Sequence, residues 1–411
     1  MNYELFVAKR IISGKEHKSS ISSPIIKIAI TAISLGMIIM MIAVSTGAGL
    51  QEKIRDKMSG FKGHIQISNF DNNNSDVSVV PISINQKFYP KFPAIEGIKN
   101  VQVYANKVGL IRTETDFEGI VMKGVSTDYD WSFFKEYLVE GKLPDFNQKR
   151  TRDVLLSTTL MSRLELQLGD TINVTFFKDQ ANKLPSNRKL VITGIYNTGF
   201  LEFDKNMMIG DIRQVRRLNK WDSTQVGGFE VLIDDFDELK NKGNEIYNSI
   251  DSSLDATTIT SSFPAIFDWI SVFDNNIWFI IAIMILVASI NMITALLVLI
   301  LERIPLIGIL KALGSTNWSI RKVFLYNAGY LILKGLFWGN VIGLAILLSQ
   351  QYFGFITLDP ESYYVSEVPV SIDVLSILLL NIGTLILCFL MLIIPSVIIT
   401  KIQPSKSIKF A

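Results

Sequence analysis

Four long apolar stretches are spaced unevenly along this chain, and that spacing constrains its fold more than any other feature. The first covers residues 25–44, and the others cover residues 277–301, 331–348 and 374–400 of the 411. A bilayer core is about 30 Å thick, so a helix needs roughly 20 apolar residues to cross it. Each stretch is close to or above that length. The chain is therefore predicted to be a membrane protein with one transmembrane helix, a large insert and three further transmembrane helices.

The composition agrees with a membrane protein and excludes several other classes. Hydrophobic residues make up 49% of the chain and charged residues 19%, and charges are sparse in the apolar stretches. A net charge of +2 gives no bulk attraction to nucleic acid. The single cysteine, Cys388, cannot form an internal disulfide or a thiolate zinc site. His17 and His64 lie far apart in sequence, so no metal site is predicted.

A cleaved secretory signal is the alternative interpretation of the first stretch. Basic residues precede it, and the small residues at 45–48 resemble a cleavage site. The apolar core is long for a signal sequence, so we expect an uncleaved transmembrane helix.

Basic residues indicate the orientation of the spans, because Lys and Arg accumulate on the cytoplasmic side. They precede the first span or lie at its start, lie between the second and third spans, and follow the fourth: Lys9, Arg10, Lys15, Lys18, Lys27, Arg303, Lys311, Arg321, Lys322, Lys401, Lys406 and Lys409. The segment 352–372 has no Lys or Arg. Both termini and the second-to-third loop are predicted to be cytoplasmic, and the large insert periplasmic.

These patterns divide the chain into nine predicted segments. They are a cytoplasmic amphipathic N-terminal segment (1–24), the first span (25–49), a periplasmic domain (50–275), the second span (276–301), a cytoplasmic loop (302–322), the third span (323–350), a short periplasmic loop (351–373), the fourth span (374–400) and a cytoplasmic tail (401–411).

Two groups of residues within the spans suggest specific contacts. The third span contains three glycines at a spacing of four residues, which share one helix face: Gly335, Gly339 and Gly343. In lipid, such a strip lets another helix approach closely. The first span contains Met37, Met40 and Met41. Flexible thioethers suit a substrate cavity for variable apolar ligands, but they also serve as ordinary packing or lipid-facing residues.

The insert has the pattern of a compact α+β domain. Strand-like runs occur at 101–111, 119–125, 171–177, 189–195 and 228–233, and helix-like runs at 157–166, 212–218 and 236–250. They do not alternate strictly, so a long parallel sheet is not implied. The chain has no G-x-x-x-x-G-K-[ST], G-x-S-x-G or H-E-x-x-H motif. No catalytic residue is predicted, and binding with mechanical coupling is favoured over catalysis.

One external segment, residues 177–188, joins two strand-like runs of the insert. It is polar, with apolar or basic residues at Phe177, Leu184, Pro185 and Arg188. One interpretation is a solvated hairpin loop. The other is a projecting loop that grips a periplasmic partner, since loops often carry function.

A short helix is predicted directly after the second span. Pro305 suits its first turn and Gly314 its end. About nine residues give a length of roughly 14 Å, too short to cross a membrane. Its apolar side chains therefore need either the membrane surface or a groove in a partner protein. The residues predicted to couple this helix to a partner are Glu302, Arg303, Pro305, Ile307, Gly308, Leu310, Lys311, Leu313 and Gly314.

The run Glu302-Arg303 with Ile307-Gly308-Ile309-Leu310-Lys311-Ala312-Leu313-Gly314 resembles the coupling-helix region of the FtsX/MacB-type ABC transporter permeases. Members of that family also have one helix, a large extracytoplasmic domain and three further helices. Further stretches resemble its lipoprotein-releasing (Lol-type) branch, namely residues 4–10, 64–65, 194–200 with Asp204-Lys205, and 363–370. The resemblance covers essentially the whole chain.

The resemblance implies a non-enzymatic permease subunit in the inner membrane of a Gram-negative bacterium. Such permeases work as dimers, of identical or related chains, with separate cytoplasmic ATPase subunits that use ATP and Mg²⁺. In the lipoprotein-releasing branch, a triacylated lipoprotein rests between the first and second spans and is expelled to a periplasmic chaperone. A hook-like hairpin in one permease type grips that chaperone, and residues 177–188 occupy a similar position.

Two alternatives remain at this stage. A MacB-like efflux permease would work with a separate ATPase and a periplasmic adaptor, although MacB-type relatives carry a fused ATPase domain that this chain lacks. An FtsX-like signal relay would transport nothing and would activate a cell-wall hydrolase. The proteins that co-purify with the chain distinguish these alternatives from lipoprotein release.

Overall fold

The computed structural model describes residues 3–13, 22–72, 77–114, 116–147, 150–177 and 184–402. His17 and the basic residues Lys15, Lys18, Lys406 and Lys409 lie outside these ranges. The described residues divide into two compact units. The membrane unit falls within Met1–Gln51, Trp269–Ile356 and Val368–Ala411, and the second unit within Glu52–Asp268 and Thr357–Glu367.

Helices occur in both units. In chain order they are α1 (Tyr3–Ser13), α2 (Ser22–Lys62), α3 (Ser132–Glu136), α4 (Thr158–Arg163), α5 (Leu201–Asp204), α6 (Ile212–Asn219), α7 (Leu239–Ser249), α8 (Ile259–Ser262), α9 (Pro264–Glu302), α10 (Ile304–Ala312), α11 (Asn317–Phe353), α12 (Pro360–Tyr363), α13 (Val374–Ser396) and α14 (Ile398–Lys401).

The strands all belong to the second unit. They are β1 (Ile65–Asn69), β2 (Ile82–Ser83), β3 (Ile98–Arg112), β4 (Phe117–Val125), β5 (Leu138–Gly141), β6 (Asp153–Ser157), β7 (Thr171–Phe176), β8 (Ser186–Tyr196), β9 (Met207–Asp211), β10 (Gln225–Val226), β11 (Gly228–Ile233) and β12 (Leu254–Thr258).

The predicted plan of one span, an insert and three spans is confirmed. Among the described residues, four helical segments are long and apolar enough to cross a membrane: Pro24–Lys62, Pro264–Glu302, Asn317–Phe353 and Val374–Thr400. The last of these combines α13 and α14. With 41 residues, α2 is about 60 Å long, roughly twice the thickness of a hydrocarbon core. Its polar C-terminal part therefore extends beyond the span.

Local sequence signals set the ends of the later spans. Thr316 precedes α11, and its hydroxyl accepts a hydrogen bond from the backbone N–H of Ser319 at 3.2 Å. Asp373 precedes α13 and accepts from the backbone N–H groups of Leu375 and Ser376. These side chains satisfy N–H groups that have no partner within the helix. Gly354, in the left-handed conformation, ends α11.

The core of the membrane unit is a single cluster of buried apolar side chains. It draws on α2, α9, α10, α11, α13 and α14, through residues such as Met37, Met292, Ile307, Phe324, Leu392 and Ile399. The short helix α10 is therefore part of the same packed core as the long helices.

The second unit is built on a mixed ten-stranded sheet, which confirms the α+β class. The strand order is β12-β1-β11-β3-β4-β9-β6-β8-β5, and β7 pairs with both β3 and β8. The β4–β9 and β6–β8 pairs are parallel, and the other pairs in this sheet are antiparallel. Residues 357–367, between the third and fourth spans, also belong to this unit.

A buried ion pair joins two strands of the second unit's sheet across the strand between them. Lys123 on β4 lies 2.7 Å from the carboxylate of Glu230 on β11, and both side chains are only 1% exposed. The Lys123 ammonium also donates to the backbone carbonyl of Phe61, near the end of α2, at 2.6 Å. Gln102, on the intervening strand β3, donates to Glu230 at 3.0 Å. The pair therefore ties the end of α2 to two strands of the sheet.

Replacing one partner of this pair should lower the free energy of unfolding much more than replacing both partners does. We expect Lys123→Met alone to lower the free energy of unfolding by about 3–5 kcal/mol, because a buried carboxylate loses its cation. The double variant Lys123→Met/Glu230→Leu should recover most of that loss. Urea unfolding of the full-length protein in detergent, followed by tryptophan fluorescence, measures both.

Lys242→Met is the matched control for this experiment. Lys242 pairs with Glu245, whose side chain is 49% exposed. Half-exposed pairs of this kind contribute about 1 kcal/mol or less. An equal loss in the single and double variants at Lys123 and Glu230 would contradict the interpretation of the buried pair.

Candidate functional site

The short helix α10 is held in place by signals at both of its ends. Pro305 lies in the first turn. At the C-terminal end, Gly314 has a φ of +87° and donates to the carbonyl of Lys311, while Ser315 donates to the carbonyl of Leu310 at 3.0 Å. This pair of hydrogen bonds is a Schellman motif, which requires a left-handed residue at the glycine position. Nothing lies within 4 Å of a Cβ built on Gly314, so backbone conformation rather than space favours glycine there.

The predicted coupling residues divide between a buried and an exposed side of α10. Ile307, Gly308 and Leu310 are buried in the membrane-unit core. Glu302, Arg303 and Lys311 are partly buried, while Pro305, Leu313 and Gly314 are exposed. The Lys311 ammonium donates to the backbone carbonyls of Ile399 and Ile402, at 2.8 Å each. Only some of the predicted coupling residues are therefore exposed and available to a partner protein.

An exposed apolar surface remains on the other side of α10. Pro305, Ile309 and Leu313 recur every four residues, and Ile309 and Leu313 are 50% and 78% exposed. Trp318, in the first turn of α11, is 54% exposed. These four residues are called the coupling face below. Ile309 and Trp318 were not among the predicted coupling residues, although the spacing of four from Pro305 points to Ile309.

The glycine strip and the methionines of the first span meet inside the membrane unit. A Cβ built on Gly335 would lie 2.7 Å from the Cβ of Ile33, and one on Gly339 would lie 2.7 Å from the Cβ of Met37. A Cβ on Gly343 would lie 3.2 Å from the sulfur of Met41. The strip on α11 therefore lies against positions on α2 that share its spacing of four residues. The helix-packing role of the strip stays a prediction, and this geometry supports it.

The three methionines have no exposed surface in this chain. Met37, Met40 and Met41 are each 0% exposed and belong to the core of the membrane unit. Beside them, the Ser34 hydroxyl donates to the carbonyl of Gly335 at 2.8 Å. The geometry thus favours packing for these side chains, and their role in a substrate cavity stays a prediction.

An apolar recess of about 450 Å³ lies among α2, α9 and α13. Its walls include Val44, Ile277, Trp278 and Leu380. The hydroxyl of Thr384, also in the wall, is buried without a hydrogen-bond partner. At the rim, Gln51 donates to Asp274 at 2.6 Å. A concave recess with a mainly apolar lining is the kind of site that takes an apolar ligand.

The loop between β7 and β8 ends a regular antiparallel hairpin. Phe176 and Ser186 are the last paired residues, and residues 178–183 lie outside the described part of the chain. Phe177 and Leu184 are 52% and 84% exposed, Pro185 is exposed, and Arg188 is partly buried. The hairpin therefore presents apolar side chains to its surroundings, and the partner role of its loop stays a prediction.

Two Lol-like stretches of the sequence pack against each other in the second unit. The ring of Phe200 stacks on that of Tyr364 with centroids 5.1 Å apart. Lys57 donates to the backbone carbonyl of Tyr364 at 3.1 Å. Nearby, buried Asp204 accepts from the Thr198 hydroxyl at 2.7 Å, and burial raises the pKa of Asp204 to about 6. Loop 357–367 thus packs against residues 194–205.

The remaining histidine has a structural role. His64 Nδ1 accepts a hydrogen bond from the backbone N–H of Ile233 at 3.1 Å, and burial lowers the pKa of His64 to about 4. Among the residues that the structure describes, no group of three or more His, Cys, Asp or Glu side chains has the arrangement of a metal site.

The glycine strip yields a direct test of the contact between α2 and α11. Gly339→Leu should lower the melting temperature of the full-length protein in detergent, because its side chain would meet Met37 and the backbone carbonyl of Ser34. Overpacking of this kind costs about 1–3 kcal/mol. Gly383→Leu is the control, since nothing lies within 4 Å of a Cβ there. Equal melting temperatures for the two variants would contradict a close contact at the strip.

Comparison with known proteins identifies both parts of the chain. A family model for the MacB-like periplasmic core domain matches residues 28–246, which is more than half of the chain. A model for the FtsX-like permease C-terminal region matches residues 278–404. The two models together match most of the four spans and of the insert, and they leave residues 247–277 between them unmatched.

Individual relatives align over most or all of their length. The lipoprotein-releasing system transmembrane protein LolC of Neisseria meningitidis serogroup B is 20% identical, with 99% of each chain aligned. LolE of Haemophilus influenzae is also 20% identical, again over 99% of each chain. An uncharacterized ABC transporter permease of Methanocaldococcus jannaschii is 23% identical over 72% of this chain and 74% of its own. With its four spans and inserted α+β domain, this chain belongs to the FtsX/MacB-type family of ABC transporter permeases, and it is a multi-pass inner-membrane protein with a periplasmic domain.

Proposed function

We propose that this chain is a permease subunit that extracts lipoproteins from the inner membrane and passes them to a periplasmic chaperone. The observation that carries the proposal is the alignment with LolC and LolE over 99% of both chains. An alignment of that extent includes the spans, the periplasmic domain and the connecting segments. The chain itself supplies mechanical coupling, and separate subunits hydrolyse ATP with Mg²⁺.

The coupling face of α10 is the surface proposed to receive the ATPase. Ile309 and Leu313 are half-exposed or more, although the opposite side of the same helix is well buried. Fully burying a leucine or isoleucine contributes about 1.5–3 kcal/mol. A groove that covers Ile309, Leu313 and Trp318 would therefore gain several kcal/mol from apolar contact. In this proposal ATP-driven movement of the partner enters the chain through these side chains.

The recess among α2, α9 and α13 is proposed to take an acyl chain of the lipoprotein. Its lining is predominantly apolar, and it involves the first and second spans. Burial of hydrocarbon contributes about 0.8 kcal/mol for each CH₂ group. A triacylated anchor offers three such chains, so additional binding surface would come from a second permease subunit.

The exposed hairpin of β7 and β8 is the proposed contact for the chaperone. Leu184 is 84% exposed, and Phe177 and Pro185 flank the same loop. Exposed apolar side chains beside a loop gain free energy when a protein partner covers them. In this proposal the hairpin contacts the chaperone that accepts the released lipoprotein.

Depletion of the protein in cells tests the proposed function. Outer-membrane lipoproteins should accumulate in the inner membrane, because their extraction would fail. Membrane fractionation with immunodetection of several lipoproteins measures this. Normal sorting after depletion would contradict lipoprotein release. In that case, co-purification with a periplasmic adaptor would favour a MacB-like efflux permease, and a cell-wall hydrolase would favour an FtsX-like relay.

Substitutions on the two sides of α10 test the coupling face. Leu313→Asp should abolish the stimulation of ATP hydrolysis by lipoprotein in the reconstituted complex, because a carboxylate replaces an exposed apolar contact. Its melting temperature should stay close to that of the unmodified protein. Leu310→Asp should instead lower the melting temperature, since Leu310 is 8% exposed.

Leu184→Asp is the matched control for this experiment. It makes the same substitution at a leucine that is also exposed but lies on the β7–β8 hairpin, so binding of the ATPase should be unchanged. Full ATPase stimulation in the Leu313→Asp complex would rule out the coupling face as the docking surface.

A further inference from the structure

The ammonium group of Lys311 is directed toward the end of the fourth span. Its Nζ donates to the backbone carbonyls of Ile399 and Ile402 at 2.8 Å and reaches that of Thr400 at 3.5 Å. A lysine ammonium has three N–H donors. All three are accounted for by acceptors on one short segment of backbone. Lys311 therefore connects the coupling helix α10 to α14, the terminal turn of the fourth span.

The carbonyls that Lys311 contacts lie in and just after the last helical turn that the structure describes. The last carbonyl groups of a helix have no partner within it and form the negative end of the helix dipole. Here the helical pattern is also interrupted, since α13, which contains Pro395, ends at Ser396 and Val397 separates it from the four-residue α14. The end of the fourth span thus needs donors from elsewhere in the chain.

A second cation acts on the same region from a different helix. The Nε of Arg321, on α11, donates to the backbone carbonyl of Ser396 at 3.2 Å. Lys311 and Arg321 thus bind the carbonyls on the two sides of the break at Val397. By contrast, the neighbouring Lys322 lies 3.7 Å from Glu4 on α1. Lys311 and Arg321 thus differ from Lys322, which contacts α1.

Apolar packing reinforces this connection. Ile307 and Leu310 on α10 belong to the same buried cluster as Ile399 on α14 and Leu392 on α13. Ile307 and Ile399 are both 0% exposed. A movement of α10 away from α14 would open this cluster and break the hydrogen bonds of Lys311 together. The two elements are therefore expected to move as one piece.

We infer that Lys311 is a positioning residue that transmits movement of the coupling helix to the fourth transmembrane span. The inference rests on the proposed function, in which α10 receives the movement of the ATPase. It assigns Lys311 a task different from docking, because the ammonium is engaged within the chain while the coupling face is exposed. Arg321, on α11, helps to hold the same end of the fourth span through its hydrogen bond to Ser396.

Hydrogen exchange tests the contact between Lys311 and the end of the fourth span without any transport assay. In the full-length chain in nanodiscs, Lys311→Met should speed amide exchange across residues 397–402 by about fivefold or more. Such a factor corresponds to the net stabilisation that one hydrogen bond typically contributes to a closed segment. Lys311→Arg should restore slow exchange, because a guanidinium also donates to carbonyls. Lys322→Met is the control and should leave the segment unchanged. Unchanged amide exchange in Lys311→Met would show that Lys311 does not stabilise the end of the fourth span, and it would overturn the inference.

Reconstitution with the ATPase tests transmission. The Lys311→Met complex should assemble and bind ATP as the unmodified complex does, but release of a triacylated lipoprotein from proteoliposomes should fall at least tenfold. Lys311→Arg should release normally. Faster exchange with normal release would overturn the transmission role. If the unmodified complex releases no lipoprotein, the proposed function fails, and the exchange experiment still decides whether Lys311 stabilises the end of the fourth span.

Discussion

The backbones of α2 and α11 approach each other closely inside the membrane unit, along the glycines of the third span. Inside a bilayer there is little hydrophobic force to hold helices together, so van der Waals packing and polar contacts must do so. Gly335 and Gly339 remove the side chains that would hold the two backbones apart. Ile33 and Met37 fill the space, and Ser34 adds a hydrogen bond to a backbone carbonyl. α9, α10, α13 and α14 contribute side chains to the same buried cluster as this pair.

Composition and periodicity predicted the four spans and the class of the insert because those signals are local. The sidedness of α10 was not predictable in the same way. Ile307 and Leu310 are as apolar as Ile309 and Leu313, so hydropathy does not distinguish the two sides of the helix. Packing against α11, α13 and α14 decides which pair is buried, and that packing joins segments far apart in the sequence. For the same reason, Met37 and Met41 were compatible with either a cavity or a packed core.

The sheet of the periplasmic domain shows a similar limit. The strand-like runs that correspond to β3, β4, β7, β8 and β11 have clear alternation or β-branched composition. The short strands β6 and β9 were missed; β9 pairs in parallel with β4, whereas β6 pairs in parallel with β8. Such parallel pairing depends on distant chain segments rather than on a turn. The packing of loop 357–367 on stretch 194–205 is another long-range contact, although each stretch alone resembled the lipoprotein-releasing branch.

The two sides of α10 have different physical requirements, and this explains why the helix is built as it is. A helix of nine residues is too short to be stable in isolation. Its buried side and its Schellman end must therefore hold it before any partner binds. Once it is held, a force applied at Leu313 is resisted by Ile307, Leu310 and Lys311, which are within two turns of it. The rigidity that keeps the exposed face in position is thus the same property that the proposed transfer of a displacement to the fourth span requires.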